Sequence, residues 1–529
     1  MPKKLSFAKQ EQYEIPTPRA VYNLKVYMIA LMGTAAALDY GYDLGFIGAT
    51  QSLVPYERYF GTLHDTTYRR SFNSNVVALF NAGAVVGSLF VGPISSVIGR
   101  RPVNIFTAAL FLLGTTFQCI AGLHGSSPAS MMLAGRFING VSVGGSNALT
   151  PYIVSEMSPP VIRGRLVGLY EVGVQTGTML GFWICYGLTR HHASDNMLWR
   201  IPFLLQYIFG GLYLFAAITV PESPRYLAKY GKQRVLESLS YIRNLPLDDT
   251  YLNLETDEIC LQYSAEREQP GWRGFMKELR VPSIRNRFFA ISGLFMFFQF
   301  SGTNSVNYYS PTIFARLGIT GQSVSFLATG IYGVVRFCAI LIAMIWAVDR
   351  FGRKILLITF AAVMAASMWI IGALVKTQTG GVAAPLTLIY IYAAAFCFSF
   401  AGIPNMQVKV INVEIWPARM RPYGVSWGVF VHWVFNLIIG KSTPYMVDSL
   451  DYGFFWLYAG FLTTSCFFTY FFIPETRGVP LERIEELFGG SPANVHVVPA
   501  DSGSSDRSGG SLSEVGGTKA EKQQIEGRV

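Results

Sequence analysis

The sequence predicts an all-α integral membrane protein whose twelve membrane-spanning helices form two pseudo-symmetric six-helix halves. Three observations carry this. Of 529 residues, 51% are hydrophobic and only 14% charged, against about a quarter charged in an average soluble domain. The apolar residues gather in stretches of roughly 20 or more, the length a helix needs at 1.5 Å per residue to cross about 30 Å of hydrocarbon. Short motifs of the first half also return in the second, in the same order and at nearly one spacing. The same composition excludes a water-soluble enzyme, a fibrous or disordered chain and a disulfide scaffold, since the six cysteines form no motif.

Taken in order, residues 1–25 form a basic cytosolic segment with Lys3, Lys4, Lys9, Arg19 and Lys25 and no apolar run of the kind a cleavable signal needs. Spans follow over 26–50, 73–98, 102–122, 130–152, 164–187 and 201–220, which make the first half, 26–220. The central loop, 221–285, has helical periodicity: Val235, Leu236, Leu239 and Ile242 share one face, and Trp272, Phe275 and Leu279 share another. Short helices lying under the membrane domain are expected there. The second half, 286–473, holds spans at 286–315, 322–348, 354–376, 384–412, 422–448 and 452–473. The tail, 474–529, turns rich in Gly and Ser and reads as mostly disordered.

Placing the N-terminus in the cytosol puts Arg100, Arg101, Arg163, Arg165, Arg350, Arg353, Lys354, Arg419 and Arg421 on the same side, as the positive-inside rule requires. Both termini are then cytosolic. The net charge of +10 needs no nucleic acid, because anionic inner-leaflet lipid is partner enough. No phosphate-binding loop, dinucleotide fingerprint or HExxH occurs, so the sequence calls for no cofactor, no metal and no catalytic residue.

The repeat speaks to function. Gly99-Arg100-Arg101 returns 253 residues later as Gly352-Arg353-Lys354, and Pro221-Glu222-Ser223-Pro224-Arg225 returns at the same offset as Pro474-Glu475-Thr476-Arg477. Glu156 with Arg163 returns 258 residues later as Glu414 with Arg421. Two homologous halves of this kind enclose a central cavity that opens alternately to either side by rocking.

These motifs, with Gly41-Tyr42-Asp43, Gly135-Arg136, Asp349-Arg350-Phe351-Gly352-Arg353-Lys354 and the PETRG run at 474–478, resemble the sugar porter family of the major facilitator superfamily over residues 20–490. Within it, TPRAVYN at 17–23, FIGAT at 46–50, Tyr170-Glu171-Val172-Gly173-Val174-Gln175 and Gly181-Phe182-Trp183-Ile184 resemble the fungal quinate permease branch. The resemblance implies a plasma-membrane secondary transporter that moves a small polyhydroxylated solute by alternating access, by proton-coupled uptake of quinate. Its partners are that solute, protons and membrane lipid. A monosaccharide is the alternative substrate; a secondary-metabolite carrier or a non-transporting nutrient sensor would share the fold.

The basic residues at helix ends carry either topology alone or a conformational latch, in which guanidinium groups grip carboxylates and carbonyls of a neighbouring helix. The resemblance implies the latch, formed by Arg100, Glu156, Arg163, Asp349, Arg353, Glu414 and Arg421; where the first half of the family has an Asp, this chain has Ser96.

Charges inside the spans cost roughly 2.5–3.5 kcal/mol each at the bilayer centre unless they face a cavity or a partner. Asp39, Asp43, Arg136, Glu171, Arg336 and Lys409 are such charges. The resemblance assigns proton coupling to Asp43 and Arg136, the other reading being a static buried pair. It assigns substrate binding to Glu171 and Gln175 in span 5, Gln299, Asn304 and Tyr308 in span 7, and His432, Trp433 and Asn436 in span 11. Phe298, Glu171, His432 and Lys409 depart from the glucose and xylose pattern. Three roles are open to Lys409: binding a substrate carboxylate, pairing with Glu171 or another acid, or snorkelling to the cytosol.

Overall fold

The computed structural model describes residues 18–123, 127–159, 162–189, 197–266, 271–319, 321–347, 353–379, 381–400, 416 and 420–475. Asparagine opens the first helix, α1 (Leu24–Gln51): Asn23 Oδ1 accepts from the Val26 N–H at 3.2 Å. A short α2 (Val54–Tyr59) follows. Asp65 then caps α3 (Thr66–Ile98) through the N–H groups of Thr67 and Tyr68, each at 2.9 Å. The first half is completed by α4 (Arg100–Cys119), α5 (Pro128–Met157), α6 (Arg163–Thr189) and α7 (Met197–Thr219). The second half comprises α12 (Pro282–Gln299) and α13 (Thr303–Arg316), α14 (Gln322–Ile342, widening into a π turn at Ala343–Ala347), α15 (Arg353–Thr377), α16 (Ala383–Phe398), α17 (Arg421–Leu450) and α18 (Gly453–Phe472). With α12 and α13 taken as one broken span, twelve membrane helices stand among the described residues, six in each half.

Only eight of them are individually long and apolar enough to cross a bilayer. The exceptions have separate causes. Helix α5 carries Arg136, Asn139, Ser142, Ser146 and Asn147, and α6 carries Glu171 and Gln175, all turned inward and buried. Span 7 is cut in two. Its expected single helix over 286–315 breaks at Phe300–Gly302, where Gly302 takes φ +92°, and the chain kinks again at Tyr309 before Pro311. Helix α16 has 16 described residues, and the rest of the span expected to 412 lies outside the described residues, as does the tail from 476.

The packing is inside-out relative to a soluble protein. Phe106, Ile208, Phe215, Phe289 and Phe471 are exposed on the exterior, while Asp43, Arg136, Asn139 and Asn436 are fully buried. With no hydrophobic drive between helices in lipid, close approach of small residues does the work. Gly41 and Gly45 of α1 lie against the backbone of Val174 and Thr178 on α6, leaving no room for a Cβ.

The central loop folds into α8 (Pro224–Leu227), α9 (Lys232–Arg243), α10 (Thr250–Glu266) and α11 (Gly271–Glu278). Of the face the periodicity predicts, Val235 and Leu239 are buried in one cluster with Leu252 and have Leu236 at its edge, while Ile242 packs into a separate cluster with Val26 and Ile153 of the membrane helices; Phe275 is buried against Trp416. Arg243 ties this layer to the membrane helices. It grips Glu255 of α10 bidentately at 2.6 and 3.0 Å and donates to the Met157 carbonyl at the end of α5 at 2.7 Å. All six cysteines are free; Cys119, Cys185 and Cys397 pack in the interior as expected, whereas Cys338 is exposed.

Candidate functional site

The first half holds a closed ion pair. Asp43 on α1 and Arg136 on α5 are both fully buried and meet bidentately, Nη2 donating to Oδ2 at 3.0 Å and Nη1 to Oδ1. Arg136 Nε donates to the Val76 carbonyl at 3.2 Å, and the guanidinium lies 4.4 Å from the Phe80 ring centroid. One turn earlier on α1, both carboxyl oxygens of Asp39 are buried without a hydrogen-bond partner.

The break in span 7 exposes a polar ladder. Gln299, at the end of α12, meets the His432 ring at 3.0 Å and accepts from Asn304 at 2.8 Å. Asn304 also donates to Asn436 Oδ1 at 3.2 Å, and Asn436 donates to the Tyr308 hydroxyl at 3.4 Å. Tyr308 crosses to the other half, donating to Asn81 Oδ1 on α3 at 3.4 Å, and Asn81 donates in return to the Asn436 carbonyl at 3.4 Å. Trp433 stands edge-on to Tyr40 of α1 at 5.4 Å and to His432 at 5.2 Å. On α6, Gln175 Nε2 donates to Glu171 at 2.6 Å. Gln175 Oε1 and Trp433 Nε1 are an acceptor and a donor that stay buried and unmatched.

The structure therefore brings together Gln299, Asn304, Tyr308, His432 and Asn436, sets Trp433 beside them, and pairs Glu171 with Gln175. Lys409 lies outside the described residues. At the basic end, Arg100 pairs with Glu156 at 3.4 Å within the first half, and Glu156 also accepts from the Ser223 hydroxyl at 2.5 Å. Arg163 opens α6 with its Nε buried and unmatched. Asp349 and Glu414 lie outside the described residues; Arg353 and Arg421 open α15 and α17, and their side chains lie outside them too.

Several residues join the site unannounced. Asn81 and Asn307 are neutral amides whose only signal in the sequence is a polar side chain inside an apolar run. Arg336, noticed as a charge, had no assigned place. Glu222 and Glu475 show what the repeated Pro-Glu motifs do: Glu222 Oε1 accepts from the backbone N–H groups of Arg100 at 2.9 Å and Arg101 at 3.3 Å, and Glu475 accepts from that of Lys354 at 3.0 Å. Each carboxylate caps the helix that follows a Gly-Arg-basic turn. Gly99 has φ +124° with Glu222 pressed against its Cα, so a side chain there would expel the cap.

At the opposite end of the molecule, a cavity of ≈ 850 Å³ is lined from both halves, by Gln51, Arg69 and Arg70 on one side and Tyr309, Arg316 and Asp448 on the other. Arg70 bridges the halves to Asp448 at 2.6 Å.

Twelve helices in two halves, with a polar ladder between them and a broken helix at its centre, define a multi-pass membrane carrier of the major facilitator class. Residues 28–488 match the family described as "Sugar (and other) transporter". Quinate permeases of Emericella nidulans and Neurospora africana are 36% and 37% identical, over 90% and 89% of this chain and 91% and 90% of theirs. Among solved structures, the proton:xylose symporter XylE bound to 6-bromo-6-deoxy-D-glucose superposes with a TM-score of 0.75 at 27% identity, covering 88% of this chain and 99% of that one. The inward-open xylose transporter XylE from E. coli superposes at 0.72 and 26%, covering 87% and 99%. The chain belongs to the sugar porter family of major facilitator transporters.

Proposed function

We propose that this protein takes up quinate in symport with a proton across the plasma membrane, with both termini in the cytosol. The observation that carries the substrate is the likeness to quinate permeases at 36–37% identity over about nine tenths of the chain. The chemistry of the ladder is compatible with it. Quinate is a cyclic polyol with one carboxylate; Gln175, Gln299, Asn304, Tyr308, His432, Trp433 and Asn436 offer amide, hydroxyl, imidazole and indole groups to its hydroxyls, with Glu171 held by Gln175. Phe298, whose ring lies 5.2 Å from that of His432, makes this wall more apolar than a glutamine would.

Proton coupling is assigned to Asp43 and Arg136. While the pair is closed, the carboxylate is ionised and matched. Substrate arriving between the halves moves α1 and α5 relative to each other, separates the guanidinium from Asp43, and leaves a buried carboxylate whose cheapest state is protonated. Rocking then carries solute and proton together. At the cytosolic end, Arg100 with Glu156, Arg163, and in the second half Asp349, Arg353, Glu414 and Arg421 form the latch that holds one of the two conformations.

A monosaccharide is the second reading, favoured by the likeness to the xylose symporter. Purified protein in liposomes separates the two. Labelled quinate should accumulate under an inward proton gradient and stop accumulating with a protonophore, while labelled glucose should not accumulate. Glucose uptake without quinate uptake would replace the substrate; uptake of neither would favour a metabolite carrier or a sensor.

A further inference from the structure

The ladder does not end at Asn304. Asn307 Nδ2 donates to Asn304 Oδ1 at 3.3 Å, and Asn307 Oδ1 in turn accepts from the guanidinium of Arg336 on α14. Arg336 is 3% exposed. Its Nη1 donates to Asn307 and, at 3.4 Å, to the Tyr332 hydroxyl; Nε is buried and unmatched. Among the described residues no carboxylate stands within ion-pair distance. Around the charge stand Tyr332 and Phe396, with ring centroids 5.5 and 5.2 Å from the guanidinium carbon, and the Cys397 thiol, while Glu171 on α6 lies within electrostatic reach but outside ion-pair distance.

Its depth matches that of the ladder. Helix α14 packs antiparallel to α6, with Gly330 against Trp183 and Gly333 against Met179. One more turn along this register brings Arg336 to the level of Gln175, whose Oε1 is the unmatched acceptor on that face. Phe396 continues the aromatic wall, its ring 5.6 Å from that of Phe298, which faces His432.

A guanidinium binds a carboxylate through two parallel N–H groups on one edge. In Arg336, Nη1 is engaged by neutral groups that fix the guanidinium plane, and Nε is buried without a hydrogen-bond partner. We infer that Arg336 is the specificity-determining cation of the site: its incompletely matched guanidinium receives the carboxylate of a polyhydroxylated acid whose hydroxyls are held by the Gln299–Asn304–Asn436 ladder. The inference rests on the quinate reading of the substrate and assigns the acid group to one side chain. Glu171 on the facing helix is the competing partner, being an acid already held by Gln175, and Lys409 is the competing cation.

The test uses full-length protein in liposomes, with labelled quinate as substrate and unlabelled quinate or its methyl ester as competitor. The wild type should be inhibited far better by the acid than by the ester. If the wild type takes up no quinate, the substrate reading fails before Arg336 is tested; if it takes up quinate and the ester competes equally, a carboxylate-binding cation is overturned without any substitution. Arg336→Gln should raise KM for quinate roughly 10- to 100-fold and erase the preference for acid over ester, with Arg336→Lys recovering part of both. Glu171→Gln and Lys409→Gln should keep the acid-over-ester preference. Loss of that preference in Lys409→Gln with retention in Arg336→Gln would move the role to Lys409. Equal loss in Glu171→Gln and Arg336→Gln would make Arg336 a partner of Glu171 instead.

Discussion

Two buried arginines of this protein, Arg136 and Arg336, are stabilised in opposite ways. Arg136 is fully buried, and each face of its guanidinium has a fixed partner: both oxygens of Asp43, the Val76 carbonyl and the Phe80 ring. Arg336 is 3% exposed and has an amide, a phenol and two rings. Inserting either charge into a membrane costs roughly 2.5–3.5 kcal/mol. In the first half a carboxylate of the same half offsets that cost. In the second half no carboxylate among the described residues stands within ion-pair distance, and on the reading proposed above the remaining attraction is what an anionic solute meets. One half holds a closed ion pair; the other holds a cation matched by neutral groups.

The largest effect that would break this comparison comes from removing each partner. Asp43→Asn leaves Arg136 buried without its counter-ion and should cost about 3–5 kcal/mol of stability, the usual penalty for breaking a buried pair from one side. It should also abolish uphill accumulation while permitting exchange down a gradient. Arg336→Met strands no carboxylate within ion-pair distance among the described residues and should change stability by about 1 kcal/mol or less, while removing selectivity for the acid. Thermal unfolding of the two purified variants in one detergent decides it: equal losses would mean that Arg336 has a structural counter-ion as strong as Asp43.

The difference between the halves was only partly legible in the sequence. The spans, the repeat and the surface helices followed from apolar length and periodicity, because hydrocarbon thickness and helical geometry fix both. The charges Asp43, Arg136 and Arg336 stood out because ions inside apolar runs are costly. Their pairing did not: Asp43 and Arg136 are 93 positions apart in sequence, and only the packing of α1 beside α5 brings them together. The break of span 7 at Phe300–Gly302 was also hidden, since Gly and Ser are ordinary within membrane helices and the apolar run continues across it. Asn81 and Asn307 stayed invisible as site residues because one neutral amide in a span carries no sign of its direction. The Pro-Glu repeats were visible as motifs, yet their job as caps needed the approach of Glu222 to the start of α4 from 122 residues away.

Those caps give a second, smaller way to set one half against the other. Glu222 accepts from the backbone of Arg100, Arg101 and Ser223, and Glu475 accepts from that of Lys354. Losing a helix cap costs about 0.5–2 kcal/mol. Glu222→Ala and Glu475→Ala should each fall within that range, read as the loss in unfolding midpoint in the same detergent. A loss in one variant alone would confine the cap to that half.

The smallest expected effect tests the medium rather than the partners. At the end away from the caps, Asp448 repeats the Asp43–Arg136 chemistry, pairing with Arg70 of the other half at 2.6 Å and with Arg316 at 3.0 Å. Its side chain is 36% exposed, and those of Arg70 and Arg316 are 35% and 42%. In water such pairs are worth about 0–1 kcal/mol and are screened by salt. Asp448→Asn should therefore leave the unfolding midpoint almost unchanged. Because the Arg70 bond joins the halves across the vestibule, the same substitution should alter the dependence of uptake rate on ionic strength, which Asp43→Asn should not. A loss of stability in Asp448→Asn as large as in Asp43→Asn would mean that the vestibule is far drier than its lining suggests, and that burial is not what separates the two pairs.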